Sequence, residues 1–111
     1  MQVLCFDIGG TDIKYGIVKD EKIIEKHKVP TEAHSSREYL EQKLYKLTKE
    51  LLDKYEVDGV GVSCAGSVDV SKGMIITPPE AIPNFKDLNF KKFFNDKFNI
   101  YCIADNDVNC F

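Results

Sequence analysis

Residues 6–16 read FDIGGTDIKYG, and the fold turns on them. Val3 to Ile8 is a short apolar run rich in β-forming residues, and its brevity favours a buried strand. The run carries an aspartate, Asp7, next to its end, and then turns on Gly9, Gly10 and Thr11. From Ile13 to Val18 apolar and polar residues alternate, the period of a strand with one buried face. Lys19 to Lys22 is a polar turn, and Ile23 to Val29 resumes an extended pattern. Three strands joined by tight turns predict an antiparallel meander.

A helix follows. Ser35 is a good N-cap, and Glu38 three residues later completes a capping box. Leu40, Leu44, Leu47, Leu51 and Tyr55 recur at helical spacing, so one stripe packs on a sheet and the charged remainder is solvated. Val57 to Cys64 reads as a central strand, parallel to the first because a helix crosses between them. The pattern loosens from Ala65 to Lys86, with a short edge strand at Met74 to Thr77. Asn89 to Lys97 is predicted as a second helix whose Phe90, Phe93, Phe94 and Phe98 share one face, a core stripe. Ile100 to Ala104 is the last strand, running into ADNDVNC. This order predicts an α/β domain with a sheet of mixed direction.

The chain has 111 residues, enough for one domain and one core, and shows no linker or internal repeat. A formal net charge of -3 offers no electrostatic case for nucleic acid. No apolar run is long enough to cross a bilayer, and the N-terminus has no secretory signal pattern, so a cytoplasmic protein is expected. The four cysteines form no C-x-x-C pair, and three sit in apolar runs; buried free thiols are expected.

The turn itself admits two readings. Glycines at 9 and 10 tolerate positive φ and let a ligand approach the backbone, whose successive N–H groups form an anion site. Thr11 adds a hydroxyl, and Asp7 suits a magnesium ion, held directly or through water, that grips phosphates. Equally, the stretch makes a plain hairpin turn with Asp7 bonding its own backbone. Neither G-x-x-x-x-G-K-[ST] nor a helix-opening G-x-G-x-x-G is present.

Three segments carry a resemblance: DIGGT after the first strand, GVGVSCAGSVDVSKGMI after the helix, and IADNDVNC at the last strand. In this order, and over essentially the whole chain, they resemble the N-terminal lobe of ROK-type sugar kinases, within the hexokinase, Hsp70 and actin-like ATPase group. The resemblance implies a ribonuclease H-like mixed sheet, an actin-like ATPase N-terminal domain. It implies that Gly9, Gly10 and Thr11 cradle ATP phosphates and that Asp7 assists Mg2+. Lys14 lies close enough to the turn to reach a phosphate, although a surface strand lysine is the simpler reading. Asp107 would deprotonate the attacking sugar hydroxyl, and Asn106 would bind sugar hydroxyls. Gly66 and Ser67 match the loop lining the sugar pocket, and Glu80, next to Pro79, falls near another sugar-contacting segment. From the residues alone, Asp107 reads first as a helix N-cap before Val108. The strand is expected to break before Asp107, since otherwise Asp105 and Asp107 share a face and Asn106 points away.

Residues 61–65, GVSCA, resemble the G-x-S-x-G elbow of esterases, but both histidines, His27 and His34, precede Ser63, against the order Ser, acid, His. Neither histidine is given a function. The resemblance makes residues 1–111 the N-terminal lobe of a two-lobed kinase. The second lobe, with the rest of the ATP site and commonly a zinc cluster, is absent from this chain. On that expectation the chain alone is inactive. The parent protein phosphorylates a hexose or N-acetylhexosamine with ATP, without nucleic acid or membrane partners and with room for a homodimer. A sugar-responsive regulator of the same family and a non-catalytic binding module are the alternatives. Met1 stands only a few residues before DIGGT, which favours the kinase over a regulator with a preceding helix-turn-helix domain.

Overall fold

The computed structural model describes residues 1–32, 36–64, 67–69, 74–77 and 88–105, the backbone alone for 67–69, 74–77 and 105. The first three strands are β1 (Gln2–Ile8), β2 (Asp12–Lys19) and β3 (Lys22–Pro30). They form the expected meander: β1 pairs antiparallel with β2, and β2 antiparallel with β3. Asp20 and Glu21 close the second hairpin with φ of 49° and 69°, the left-handed pair that matches strand twist. The N-terminal ammonium pairs with the Asp20 carboxylate at 2.8 Å, which ties the start of β1 to this turn.

Helix α1 (Arg37–Leu52) crosses to β4 (Gly59–Cys64), which lies parallel to β1 in the register Ile8↔Cys64. Strands β5 (Ser67–Asp69) and β6 (Met74–Thr77) form a separate antiparallel pair. Helix α2 (Phe90–Phe98) leads into β7 (Cys102–Asp105), parallel to β4. The main sheet has the order β3-β2-β1-β4-β7. This is the mixed α/β architecture expected from the meander and the two crossovers.

Both helices cover one face of this sheet. Alternation along the strands sends Leu4, Phe6, Ile8, Ile13, Tyr15, Ile17, Val60, Val62 and Ala104 into one core with Leu40, Leu44, Leu51, Phe90 and Phe94. The Phe6 and Phe94 rings meet at 6.0 Å, and Phe6 stacks on Tyr15 at 5.9 Å. Each fully buried aromatic contributes about 1.5–3 kcal/mol relative to exposure. The phenylalanine stripe of α2 is therefore core, as its spacing predicted.

Four local expectations are corrected. The N-cap of α1 is Ser36, whose hydroxyl accepts the Tyr39 N–H at 3.1 Å; Ser35 lies outside the described residues. Asn89 precedes α2 as its cap, accepting the Lys92 N–H at 2.9 Å. Tyr55 follows the end of α1 and is only partly buried against the core. Cys64 and Cys102 are buried free thiols as expected, but Cys5 is disulfide-bonded.

Candidate functional site

Parallel strands β1, β4 and β7 all end at the same edge of the sheet, because Ile8 pairs with Cys64 and Ser63 with Asp105. The glycine turn leaves β1 there. Strands β4 and β7 end at Cys64 and Asp105 on the same edge. The C-terminal edge of parallel strands is where α/β proteins build ligand crevices.

Asp7 occupies a row that crosses four strands: Lys14 on β2, Asp7 on β1, Ser63 on β4 and Asp105 on β7. Cross-strand partners share a face, so Asp7 stands on the side opposite the helices. Its carboxylate is half-buried, while Lys14 is exposed, in keeping with the surface reading of that lysine. Next to Asp7, burial pushes the Cys64 thiol up to about 12, and the Asp7 charge adds to the shift. Cys64 is thus no nucleophile at neutral pH.

Residues 9–12 form a hairpin turn closed by the Gly9 N–H on the Asp12 carbonyl at 3.0 Å. Gly9 does not use a left-handed φ, contrary to the reason expected for it. A Cβ there would stand 3.2 Å from the Asp12 carbonyl oxygen, a tight contact that the turn relieves by shifting a few tenths of an ångström. Asp12 reaches Lys28 of β3 at 3.8 Å. Gly10 is half-buried and Thr11 exposed, so the turn faces solvent.

Thr31 is the residue that sequence reasoning missed. It follows β3 directly, is 0% exposed, and donates its hydroxyl to the Gly9 carbonyl at 2.7 Å. Its N–H donates to the Thr11 carbonyl at 2.9 Å. A threonine after the last strand of a meander carries no signal of this contact, because the contact closes across 22 residues.

Ser67 opens β5 and pairs with Thr77, so only its backbone position is established. Gly66, Glu80, Asn106 and Asp107 lie outside the described residues. Strand β7 extends to Asp105, which stands in the row containing Asp7.

Among the described residues no cluster of three or more His, Cys, Asp or Glu could hold a metal ion. One half-buried carboxylate beside a solvent-facing turn fits magnesium, which keeps several waters and takes one or two carboxylates plus phosphate oxygens. No helix among the described residues is long and apolar enough to cross a membrane.

Comparison with known proteins gives a consistent assignment. The family model described as "ROK family" matches residues 3–111. The uncharacterized protein CPE0188 of Clostridium perfringens is 36% identical over 105 residues, covering 94% of this chain and 36% of that protein. A beta-glucoside kinase of Listeria innocua is 31% identical over 112 residues, covering 99% of this chain and 36% of the kinase. A ROK family glucokinase from Streptomyces griseus, solved with glucose and AMPPNP, shares the fold with a TM-score of 0.82 at 24% identity. That match covers 98% of this chain and 34% of the glucokinase. The chain thus spans about a third of the length of the relatives it matches. With a family match over nearly its whole length and the meander, crossover and strand-end glycine turn in place, the chain belongs to the ROK family.

Proposed function

We propose that this chain is the N-terminal lobe of an ATP-dependent sugar kinase, with a hexose, a β-glucoside or an N-acetylhexosamine as phosphoryl acceptor. The observation that carries this reading is the convergence of the glycine turn and the ends of β4 and β7 on one sheet edge. The kinship with a beta-glucoside kinase supports it.

In this reading the backbone of Gly9 and Gly10 and the hydroxyl of Thr11 hold ATP phosphates. Asp7 holds Mg2+ through water, and the ion neutralises charge on the phosphates. Gly66, Ser67, Glu80 and Asn106 bind the sugar. Asp107 accepts the proton of the attacking hydroxyl. The hydroxyl oxygen forms a bond to the γ-phosphorus, the bond to the β–γ bridging oxygen breaks, and ADP leaves. Phosphoryl transfer asks the protein chiefly for such positioning and charge stabilisation.

The test is a coupled ADP-release assay on the natural protein that contains this chain, across glucose, β-glucosides and N-acetylmannosamine. Sugar-dependent ADP release supports a kinase. Sugar binding without ADP release for any sugar in the panel overturns it in favour of a regulator or binding module.

A further inference from the structure

The turn that reads as a phosphate site does not hold its shape through its own hairpin alone. Two of its carbonyls, those of Gly9 and Thr11, are taken by one residue, Thr31, through bonds of 2.7 and 2.9 Å. Thr31 is fully buried, so its hydroxyl and N–H have the turn's carbonyls as partners in place of bulk water.

These bonds also set a direction. No cis peptide occurs among the described residues, and across a planar trans peptide the C=O and the following N–H point opposite ways. With the Gly9 carbonyl turned to Thr31, the Gly10 N–H points away from β3. That amide is one of the donors a phosphate would need.

Thr31 is itself braced from α1. Lys43 Nζ donates to the Pro30 carbonyl at 2.7 Å and pairs with the Glu32 carboxylate at 3.4 Å. The Tyr39 hydroxyl donates to Glu32, and the Lys43 ammonium lies 5.1 Å from the Tyr39 ring centre. Between these contacts Glu32 holds a φ of 57°, a left-handed conformation that a non-glycine residue keeps only when its surroundings enforce it. The flanks of Thr31 are therefore gripped on both sides.

We propose that Thr31 is a positioning residue of the phosphate turn, anchoring the Gly9 and Thr11 carbonyls so that the Gly10 amide faces the bound phosphate. This rests on the reading of residues 9–11 given above. It adds a residue, distant in sequence, through which α1 and β3 set the geometry of that turn.

The test uses the natural protein that contains this chain, MgATP as probe, and the Gly10 amide as reporter in proton–nitrogen NMR. Thr31→Val keeps the shape and removes the donor; Thr31→Ser keeps the donor and removes the methyl. Thr31→Val should bind MgATP at least ten-fold more weakly than the wild type, with faster Gly10 amide exchange, whereas Thr31→Ser should bind within two-fold of it. Thr31→Ala, smaller and without the hydroxyl, should behave like Thr31→Val and serves if that variant does not fold. Equal MgATP affinity in wild type, Thr31→Ser and a folded hydroxyl-free variant overturns the inference while leaving the phosphate turn intact. A wild-type chain whose Gly10 amide does not respond to MgATP overturns the phosphate reading and the positioning role with it.

Discussion

Asp7 and Ser63 stand side by side on parallel strands β1 and β4, and Asp105 on β7 continues their row. Neighbouring strands lie about 4.8 Å apart, so the backbones of residues 7 and 105 are separated by about 10 Å. The glycine turn begins two residues beyond Asp7, and residue 107 follows Asp105 by the same number.

Asp7→Asn removes the charge and keeps the shape. We expect MgATP affinity to fall about ten-fold, roughly 1.4 kcal/mol, with affinity for metal-free ATP little changed. Calorimetric titration with and without Mg2+ checks this; an equal loss in both conditions would show that Asp7 acts on the fold.

Asp107→Ala, made in the natural protein, should lower turnover by about a hundred-fold or more, the range for loss of a general base. Sugar affinity should stay close to that of the unaltered protein. Unchanged turnover in the coupled assay rules out Asp107 as the base.

Gly16 lies beside the bulge where the β2–β3 register shifts between Ile17 and Val18 of β2. A Cβ there would run into the Glu25 carbonyl and come within 2.9 Å of the Lys26 Cα. Gly16→Ala should cost about 3 kcal/mol, the upper end for overpacking, because the obstacle is backbone. Urea unfolding of the two chains measures the difference.

Glu25 links β3 to the end of α1. Hydrogen bonds from the Tyr55 hydroxyl and His27, with the Lys54 ammonium nearby, hold its carboxyl down at about 2 against an ordinary 4.5. The His27 ring bonds it at 2.7 Å and also stacks on Tyr15 at 5.2 Å between ring centres. A carboxyl lowered by folding stabilises the fold above its unfolded value, and that stabilisation disappears as pH falls from about 4.5 towards about 2. Glu25→Gln should therefore be less stable than the wild type at pH 7, with a shallower loss of stability across that acid window. Urea midpoints of both chains between pH 7 and 2 test it, and parallel curves would exclude the linkage.

Burial raises the thiols of Cys64 and Cys102 to about 12 each. At pH 8 the thiolate fraction is on the order of one in ten thousand. Labelling of these two cysteines, followed by mass mapping, should be far slower in buffer than in denaturant; equal rates would place them at the surface.

Periodicity made most of the fold legible. Alternation in Ile13 to Val18 and the leucine stripe of α1 are direct records of which side of each element meets the core. Degenerate local chemistry blurred the boundaries. Ser35 and Ser36 are both residues that suit a cap, and Ser36 is the one that caps α1. Strand β5 spans only Ser67–Asp69, too short to show a period, so only its pairing with β6 reveals it. The disulfide of Cys5 was illegible for the same reason: pairing of cysteines is a fact of proximity, not of spacing.

Local interactions are written into neighbouring residues, and so the meander, the parallel crossover and the strand-end glycine turn could be read from the order of residues alone. Contacts that close over long stretches of chain have no such record. The alignment of Asp7 with Ser63 and Asp105, the seat of Thr31 on Gly9 and Thr11, and the clash awaiting a side chain at Gly16 came from strands packing in one register. Burial of Phe6 and Phe94 between sheet and helix holds that register, because slipping a strand by one residue would turn its core residues to the opposite face.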